Sequence, residues 1–161
     1  MIANKIKKVL IALDSGPTAL KVAEAGFLMA KSMGAEVILL HVIINLLTYS
    51  MIFLKIDSID TESLDKMKVS SKNFLEKTAI GYGGRLIQTV VKQGDFAVAL
   101  IDAANNLTAD IIIMGSQNSR WLEEIVMGRV TNEILQQTKI PILILPTKKH
   151  EKLFTYISLE H

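Results

Sequence analysis

Five short apolar segments alternate along the chain with four longer segments in which apolar residues recur at helical spacing. The short segments are residues 9–13, 36–42, 85–92, 111–114 and 142–145. Several of them contain no charged residue and are rich in valine and isoleucine, which is typical of strands buried on both faces of a parallel sheet. The pattern therefore predicts five strands separated by four helices.

The intervening segments each predict one helix with an apolar side. Pro17 is suited to open the first helix and Gly34 to end it, whereas a cluster of Gly81, Gly83 and Gly84 ends the second. Asp95 is a candidate cap for the third helix, and the fourth runs to about Gln137. The predicted sheet-facing positions are Leu20, Ala23, Phe27, Ala30, Leu64, Met67, Ser71, Phe74, Thr78, Ala97, Leu100, Ile101, Ala104, Leu122, Ile125, Val126 and Val130.

The β-α-β-α-β-α-β-α-β order predicts a single doubly wound α/β domain over residues 1–147, an open parallel five-stranded sheet with helices on both faces. The expected strand order is 3-2-1-4-5. In this order the winding direction reverses between strands 1 and 4, which opens a crevice at their carboxyl ends. Asp14 and Gly115 follow these two strands, so we expect them to face each other across it.

Composition adds limits. Half of the 161 residues are hydrophobic, enough for one core, and the net charge of +2 is no strong signal for nucleic acid. The chain has no cysteine, which excludes disulfides and suits a cytoplasmic location. Residues 1–8 lack the pattern of a signal peptide, residues 148–158 are predicted to be an extension, and residues 159–161 resemble the start of an expression tag.

The segment from Val37 to Leu54 has no charged residue and is long enough for a short membrane span. We favour a chain without a membrane segment, since its first half has strand character and polar residues such as His41 and Asn45 interrupt the apolar run. The connection from Ile43 to Leu54 would otherwise expose a large apolar patch. It is predicted to bind a protein partner or to form a lid over the crevice.

The segment from Asp110 to Thr131 carries the most specific motif. Gly115 ends an apolar strand, Asn118 follows after two residues, and Gly128 with Arg129 follows after nine more. This arrangement resembles the universal stress protein family, whose ATP-binding members carry Gly, two residues, Gly, nine residues, then Gly and Ser or Thr. Asn118 stands where the second Gly belongs, and Arg129 where the Ser or Thr belongs.

The resemblance implies an adenine nucleotide, ATP, in the crevice, with Mg²⁺ bound only through the nucleotide. It implies that Asp14 accepts hydrogen bonds from the nucleoside and that Val42 contacts the base through its backbone. The candidate binding residues are Ala12, Leu13, Asp14, Val42, Met114, Gly115, Asn118, Gly128, Arg129, Val130 and Thr131. Asn tolerates the left-handed backbone that Gly adopts, whereas Arg129 introduces a long cation that could itself bind an anion.

Each candidate also has a purely structural interpretation. Asp14 could cap the first helix, Gly115 could serve a tight turn with positive φ, and Trp121 could be a packing residue rather than a ligand shield. His41 is predicted to be a hydrogen-bonded core histidine rather than a metal ligand, because no second histidine lies at ligand spacing. No catalytic residue is assigned, since Glu123 and Glu124 are adjacent on a helix and point apart.

Three functions remain open from the sequence. The first is a cytoplasmic stress-response module that binds ATP weakly, the second is a slow ATPase or phosphotransferase, and the third is a dimeric adaptor that binds no nucleotide. A homodimer through the strand from Ile142 to Leu145 is expected, because this edge strand is apolar and unpaired. A proline at Leu143 is expected to weaken such a dimer.

Overall fold

A computed structural model describes residues 5–44, 61–83, 87–116 and 126–147, with the backbone alone described for residues 126–131. The extension and tag predicted for residues 148–161 lie outside the described residues. The elements in chain order are β1 (Lys8–Ala12), α1 (Ala19–Met33), β2 (Glu36–Ile44), α2 (Thr61–Gly81), β3 (Ile87–Gly94), α3 (Phe96–Asn106), β4 (Ile111–Gly115), α4 (Val126–Gln137) and β5 (Ile142–Leu145).

The five strands form one sheet in the order β3-β2-β1-β4-β5, and every neighbouring pair is parallel. The predicted fold class and strand order are confirmed. Parallel neighbours need crossover connections, and each crossover here contains a helix that covers the sheet. The sheet is therefore doubly wound, and β1 lies at its centre.

Two apolar cores lie on opposite faces of the sheet, since successive strand residues point to opposite sides. On one face, α3 and α4 pack on even-numbered residues of β1 and β2 such as Leu10 and Leu40. On the other, α1 and α2 pack on odd-numbered residues such as Ile11 and Leu39. Leu10, Ile11, Leu39 and Leu40 are completely buried. Because both faces of the central strands are covered, these strands consist of almost continuous runs of apolar residues in the sequence.

The sheet-facing stripe of α1 differs from the predicted one. Leu20 is 58% exposed, whereas Val22 and Gly26 are buried together with Ala23 and Ala30. Small residues line this stripe, so the helix axis approaches the sheet closely. A Cβ atom built on Gly26 would lie 2.5 Å from Cδ1 of Ile11 and 2.9 Å from its Cγ1. The face that is buried is the one whose small side chains allow the helix to lie close to the sheet, not the one with the largest apolar side chains.

The predictions for α2 and β2 also need correction. Only Leu75, Thr78 and Ala79 of α2 are buried, and the predicted sheet-facing Met67 is 45% exposed. The first half of α2 therefore carries little of the core. Strand β2 extends to Ile44 rather than ending at residue 42, because it keeps pairing with β3 as far as Gly94. Residues 45–60, most of the predicted partner or lid segment, lie outside the described residues.

Two carboxylates organise turns at the ends of elements. Asp95 caps α3 as predicted, its Oδ1 accepting a hydrogen bond from the Val98 N–H at 3.0 Å. Oδ2 of Asp110 accepts hydrogen bonds from the backbone N–H groups of Lys7 and Lys8, at 2.8 and 2.9 Å. Asp110 thus ties the start of β4 to the start of β1. No helix in the described part of the chain has the length and hydropathy needed to cross a bilayer.

Gly26→Ala is predicted to lower the free energy of unfolding by about 1–2 kcal/mol, although alanine is favoured in helices by about 1 kcal/mol. The added methyl group overlaps the side chain of Ile11, which is completely buried and would have to shift within a packed core. Ile11→Val removes the nearest atom, so the two substitutions together should cost less than the sum of their separate effects. Urea unfolding of the four proteins measures this coupling, and strictly additive values would contradict it.

Asp110→Asn is predicted to lower the free energy of unfolding by about 1 kcal/mol at neutral pH. This value is at the low end of what a hydrogen bond to a charged group contributes, because the Asp110 side chain is exposed. The two N–H groups lower the pKa of the Asp110 carboxyl in the folded protein. Its stabilisation is therefore complete above the unfolded-state pKa of about 4 and is lost as the pH falls through the lower folded-state pKa.

Urea unfolding between about pH 7 and about pH 2.5 should show the gap between wild type and Asp110→Asn closing at the acidic end. Asp102→Asn serves as the control. It replaces a different exposed carboxylate, which lies on α3, and should produce a smaller gap at neutral pH. A gap for Asp110→Asn that stays constant at the acidic end would contradict the assigned role.

Candidate functional site

The carboxyl edge of the sheet has a notch at its centre. β1 stops at Ala12, which pairs with Leu40 on one side and Met114 on the other. β2 continues four residues beyond this level to Ile44, and β4 continues to Gly115. Because the central strand ends before both of its neighbours at this edge, the chain that follows Ala12 forms the floor of a notch between β2 and β4.

Backbone and side-chain hydrogen bonds fix this floor. The N–H of Leu13 donates to the carbonyl of Leu40 at 2.8 Å, and Oδ1 of Asp14 accepts from the N–H of Gly16 at 3.0 Å. The alternative in which Asp14 caps the first helix is not what the structure shows. The N-cap of α1 is Thr18, so Pro17 does not open the helix either, and Asp14 stabilises the turn that precedes it.

The Asp14 carboxyl is half-buried beside the notch. Burial raises its pKa above the ordinary value, while the Gly16 N–H and the charge of a protonated His41 act in the opposite direction. The carboxylate keeps one oxygen free of the Gly16 bond as an acceptor for a ligand hydroxyl.

His41 lies on β2 at the side of the notch. Its Nδ1 is 2.7 Å from the carbonyl oxygen of Leu13. The predicted hydrogen bond is present, but the side chain is only partly buried and does not lie in the core. Within residues 5–44, 61–83, 87–116 and 126–147, no group of three or more His, Cys, Asp or Glu residues is placed to hold a metal ion.

Gly115 is a buried strand residue and does not have the positive φ expected of a tight turn. A Cβ atom at this position would lie 2.9 Å from Cγ2 of Thr147 and 3.1 Å from Cγ2 of Val22. Thr147 is held in place by Ser116, whose Oγ accepts from the Thr147 N–H at 3.0 Å. Packing between β4, α1 and the chain after β5 thus requires glycine here.

The described residues line a small, partly open depression at the floor of the notch. Of the predicted site residues, the structure brings Ala12, Leu13, Asp14 and Gly115 together in its lining. Thr18, Ala19 and Val22 of the α1 amino end complete the lining and were missed by sequence reasoning. Their position along the chain could have identified them, since the helix that follows a central strand begins at the carboxyl end of that strand.

The other predicted residues are placed less directly. Met114 and Val42 are buried in the core on the α3 face, so only their backbone groups could reach a ligand. Asn118 lies outside the described residues. Gly128, Arg129, Val130 and Thr131 lie in the first half of α4, where the structure describes the backbone alone.

The α4 amino end supplies a possible anion site. The N–H groups of the N-cap and of the first three helical residues have no partner inside an α-helix, and those of α4 include Gly128. Such amides favour negative charge because they add to the positive end of the helix dipole. This part of the motif therefore has the backbone geometry that phosphate binding uses.

Comparison with known proteins identifies relatives of the same fold. The Universal stress protein A of Yersinia pestis is 25% identical over 146 residues, covering 90% of this chain and 95% of that protein. The structure of the universal stress protein UspA from Lactobacillus plantarum superposes with a TM-score of 0.71 at 14% identity, covering 89% of this chain and 99% of the other.

A universal stress protein from Archaeoglobus fulgidus, solved in complex with dAMP, superposes with a TM-score of 0.58 at 13% identity over 88% of this chain and 98% of the other. The model of the universal stress protein family matches residues 5–146. Because this match spans nearly the whole sequence, the chain belongs to the universal stress protein family.

Proposed function

We propose that this chain is a stress-response module that binds an adenine nucleotide, ATP, in the notch, at the crevice that the strand order opens between β1 and β4. The observation that carries the proposal is the early end of the central strand, which leaves Asp14 at the point where the winding direction of the sheet reverses. Open α/β sheets bind ligands at this point. The Archaeoglobus fulgidus relative solved with dAMP supports an adenine nucleotide as the ligand class.

Different residues bind different parts of the nucleotide. The free oxygen of Asp14 accepts a hydrogen bond from a ribose hydroxyl, and the amide of Gly128 at the α4 amino end holds a phosphate. Mg²⁺ would enter only with the phosphates.

Val42 supplies backbone groups for the base. It lies two residues beyond Leu40, the last β2 residue that pairs with β1. In a parallel strand, alternate residues direct their N–H and C=O to the same neighbour, so the backbone groups of Val42 face the notch.

The size of the depression limits how much of the ligand these residues hold. Ligand pockets usually measure about 300–1,000 Å³, and the depression that the described residues line is far smaller than this. They therefore form the floor under the ribose.

A dimeric adaptor without nucleotide is the second candidate. Two observations favour it: Asn118 and Arg129 depart from the family motif, and Gly115 is explained by its packing against Thr147 and Val22. Mass spectrometry of the denatured, freshly purified protein separates the candidates, since co-purifying adenine nucleotide supports the binding module. Sustained ADP production above a buffer control would instead support the slow ATPase.

We place the module in the cytoplasm, consistent with its lack of cysteine.

Asn118→Gly combined with Arg129→Ser is predicted to tighten ATP binding about tenfold, or about 1.4 kcal/mol, by restoring the family motif. Titration calorimetry on wild type, both single variants and the double variant measures the effect. Weaker binding by Arg129→Ser would show instead that Arg129 contacts a phosphate through a charge-assisted bond. Absence of ATP binding in all four proteins, with circular dichroism unchanged, would reject the nucleotide function and leave the adaptor.

A homodimer through β5 is the partner that we propose. β5 is an edge strand whose four apolar side chains are only partly buried. The carbonyl of Pro141 accepts a hydrogen bond from the N–H of Ile112 in β4. The carbonyl of Leu145 accepts one from the N–H of Ser116, the residue that follows β4. By alternation, Leu143 also faces β4, whereas Ile142 and Ile144 direct their backbone groups outward. Proline at Leu143 would therefore remove a hydrogen bond to β4 as well as disturb a dimer, so Ile144 is the more selective position for the test.

Ile144→Pro is predicted to weaken the dimer at least tenfold with little loss of fold, because it removes an outward N–H and leaves the β4 ladder intact. Leu143→Pro is the matched contrast and should instead lower the melting temperature by breaking a bond to β4. Light scattering and thermal denaturation distinguish the two effects. A wild-type protein that stays monomeric at micromolar concentration would contradict the proposal.

A further inference from the structure

His41 extends the hydrogen bonding between β1 and β2 beyond the end of β1. It follows Leu40, the last β2 residue that pairs with β1. Its side chain is half-buried on the face covered by α1 and α2, opposite Val91 of β3. The Nδ1 atom reaches across to the carbonyl oxygen of Leu13, 2.7 Å away.

The direction of this hydrogen bond follows from the chemistry of its acceptor. A carbonyl oxygen can only accept, so Nδ1 of His41 carries the hydrogen. The N–H of Leu13 donates in turn to the carbonyl of Leu40 at 2.8 Å. Both backbone groups of Leu13 are therefore held by β2, one by a main-chain bond and the other by the His41 side chain.

The orientation of the Leu13 carbonyl also determines that of Asp14. The peptide group is planar, so the carbonyl of Leu13 shares a plane with the N–H and Cα of Asp14. The carboxylate of Asp14 then accepts from Gly16 at 3.0 Å, which fixes its side chain relative to that backbone. A change in the carbonyl direction would turn the carboxylate away from its present place beside the notch.

We propose that His41 is a positioning residue, which holds the Leu13 carbonyl so that the Asp14 carboxylate faces the nucleotide ribose. This inference rests on the proposed nucleotide function. His41 does not itself need to touch the ligand; its effect on binding passes through Asp14.

Asparagine and leucine at position 41 make a matched pair of variants. Both branch at Cγ into two δ atoms, but only asparagine places an N–H donor where Nδ1 of histidine lies. His41→Leu is expected to weaken ATP binding about tenfold, the effect of one lost hydrogen bond in the site. His41→Asn should bind ATP within about threefold of wild type.

A double-variant cycle tests whether the effect passes through Asp14. In an Asp14→Ala background, His41→Leu should cause no further loss of ATP affinity in titration calorimetry. If His41→Leu weakens binding equally in both backgrounds, its role is general support of the fold and the proposal is overturned. Equal affinities for the His41→Leu and His41→Asn variants would also overturn it.

Amide hydrogen exchange without nucleotide separates this inference from the proposed function. The Gly16 amide, bonded to Asp14, should exchange faster in His41→Leu than in His41→Asn, while the buried Ile11 and Ile113 amides remain unchanged. If wild type binds no ATP, the nucleotide function fails, and this comparison alone decides whether His41 positions Asp14. Equal Gly16 exchange in the two variants refutes the positioning role.

Discussion

Strand β1 is hydrogen-bonded to a parallel neighbour along both edges and covered by helices on both faces. Its residues Val9, Leu10 and Ile11 have no exposed surface. A strand enclosed in this way cannot shift its register without moving apolar side chains to the wrong face. The position of its last residue is thus fixed by the whole core, and with it the level at which the notch begins.

Small residues on the helices allow this enclosure. Gly26 lies so close to Ile11 that a methyl group would overlap it, and α3 contributes Ala97, Ala103 and Ala104 to the opposite core. Backbones that approach each other closely leave little space for side-chain rearrangement, since protein interiors are packed near crystal density. The rigidity of the floor under Asp14 is a consequence of this packing, and a ligand hydroxyl would meet an acceptor that is already in place.

The sequence was sufficient to predict the strand order, because long charge-free runs and helical spacings depend on local pattern and on topological rules that few folds satisfy. It was insufficient to predict which side of α1 is buried. Leu20 is larger and more apolar than Gly26, yet Gly26 faces the sheet because the spacing between layers admits no larger side chain. Similarly, the outward direction of the Ile144 amide depends on the register of β5 against β4, which pattern alone does not contain.

The motif residues differ in what they reveal about ligand binding. Gly115 is required by Thr147 and Val22, and Asp14 stabilises the turn at Gly16, so both would be present in a protein that binds nothing. Gly128 contributes a helix amide that any residue but proline provides. Under the proposed function, phosphate affinity would therefore depend on the side chains of Asn118 and Arg129, the positions where this chain departs from the motif of ATP-binding members. A bulky cation at Arg129 either replaces the family hydroxyl as a phosphate ligand or occupies the space that a phosphate needs, and the sign of its effect on affinity distinguishes these two cases.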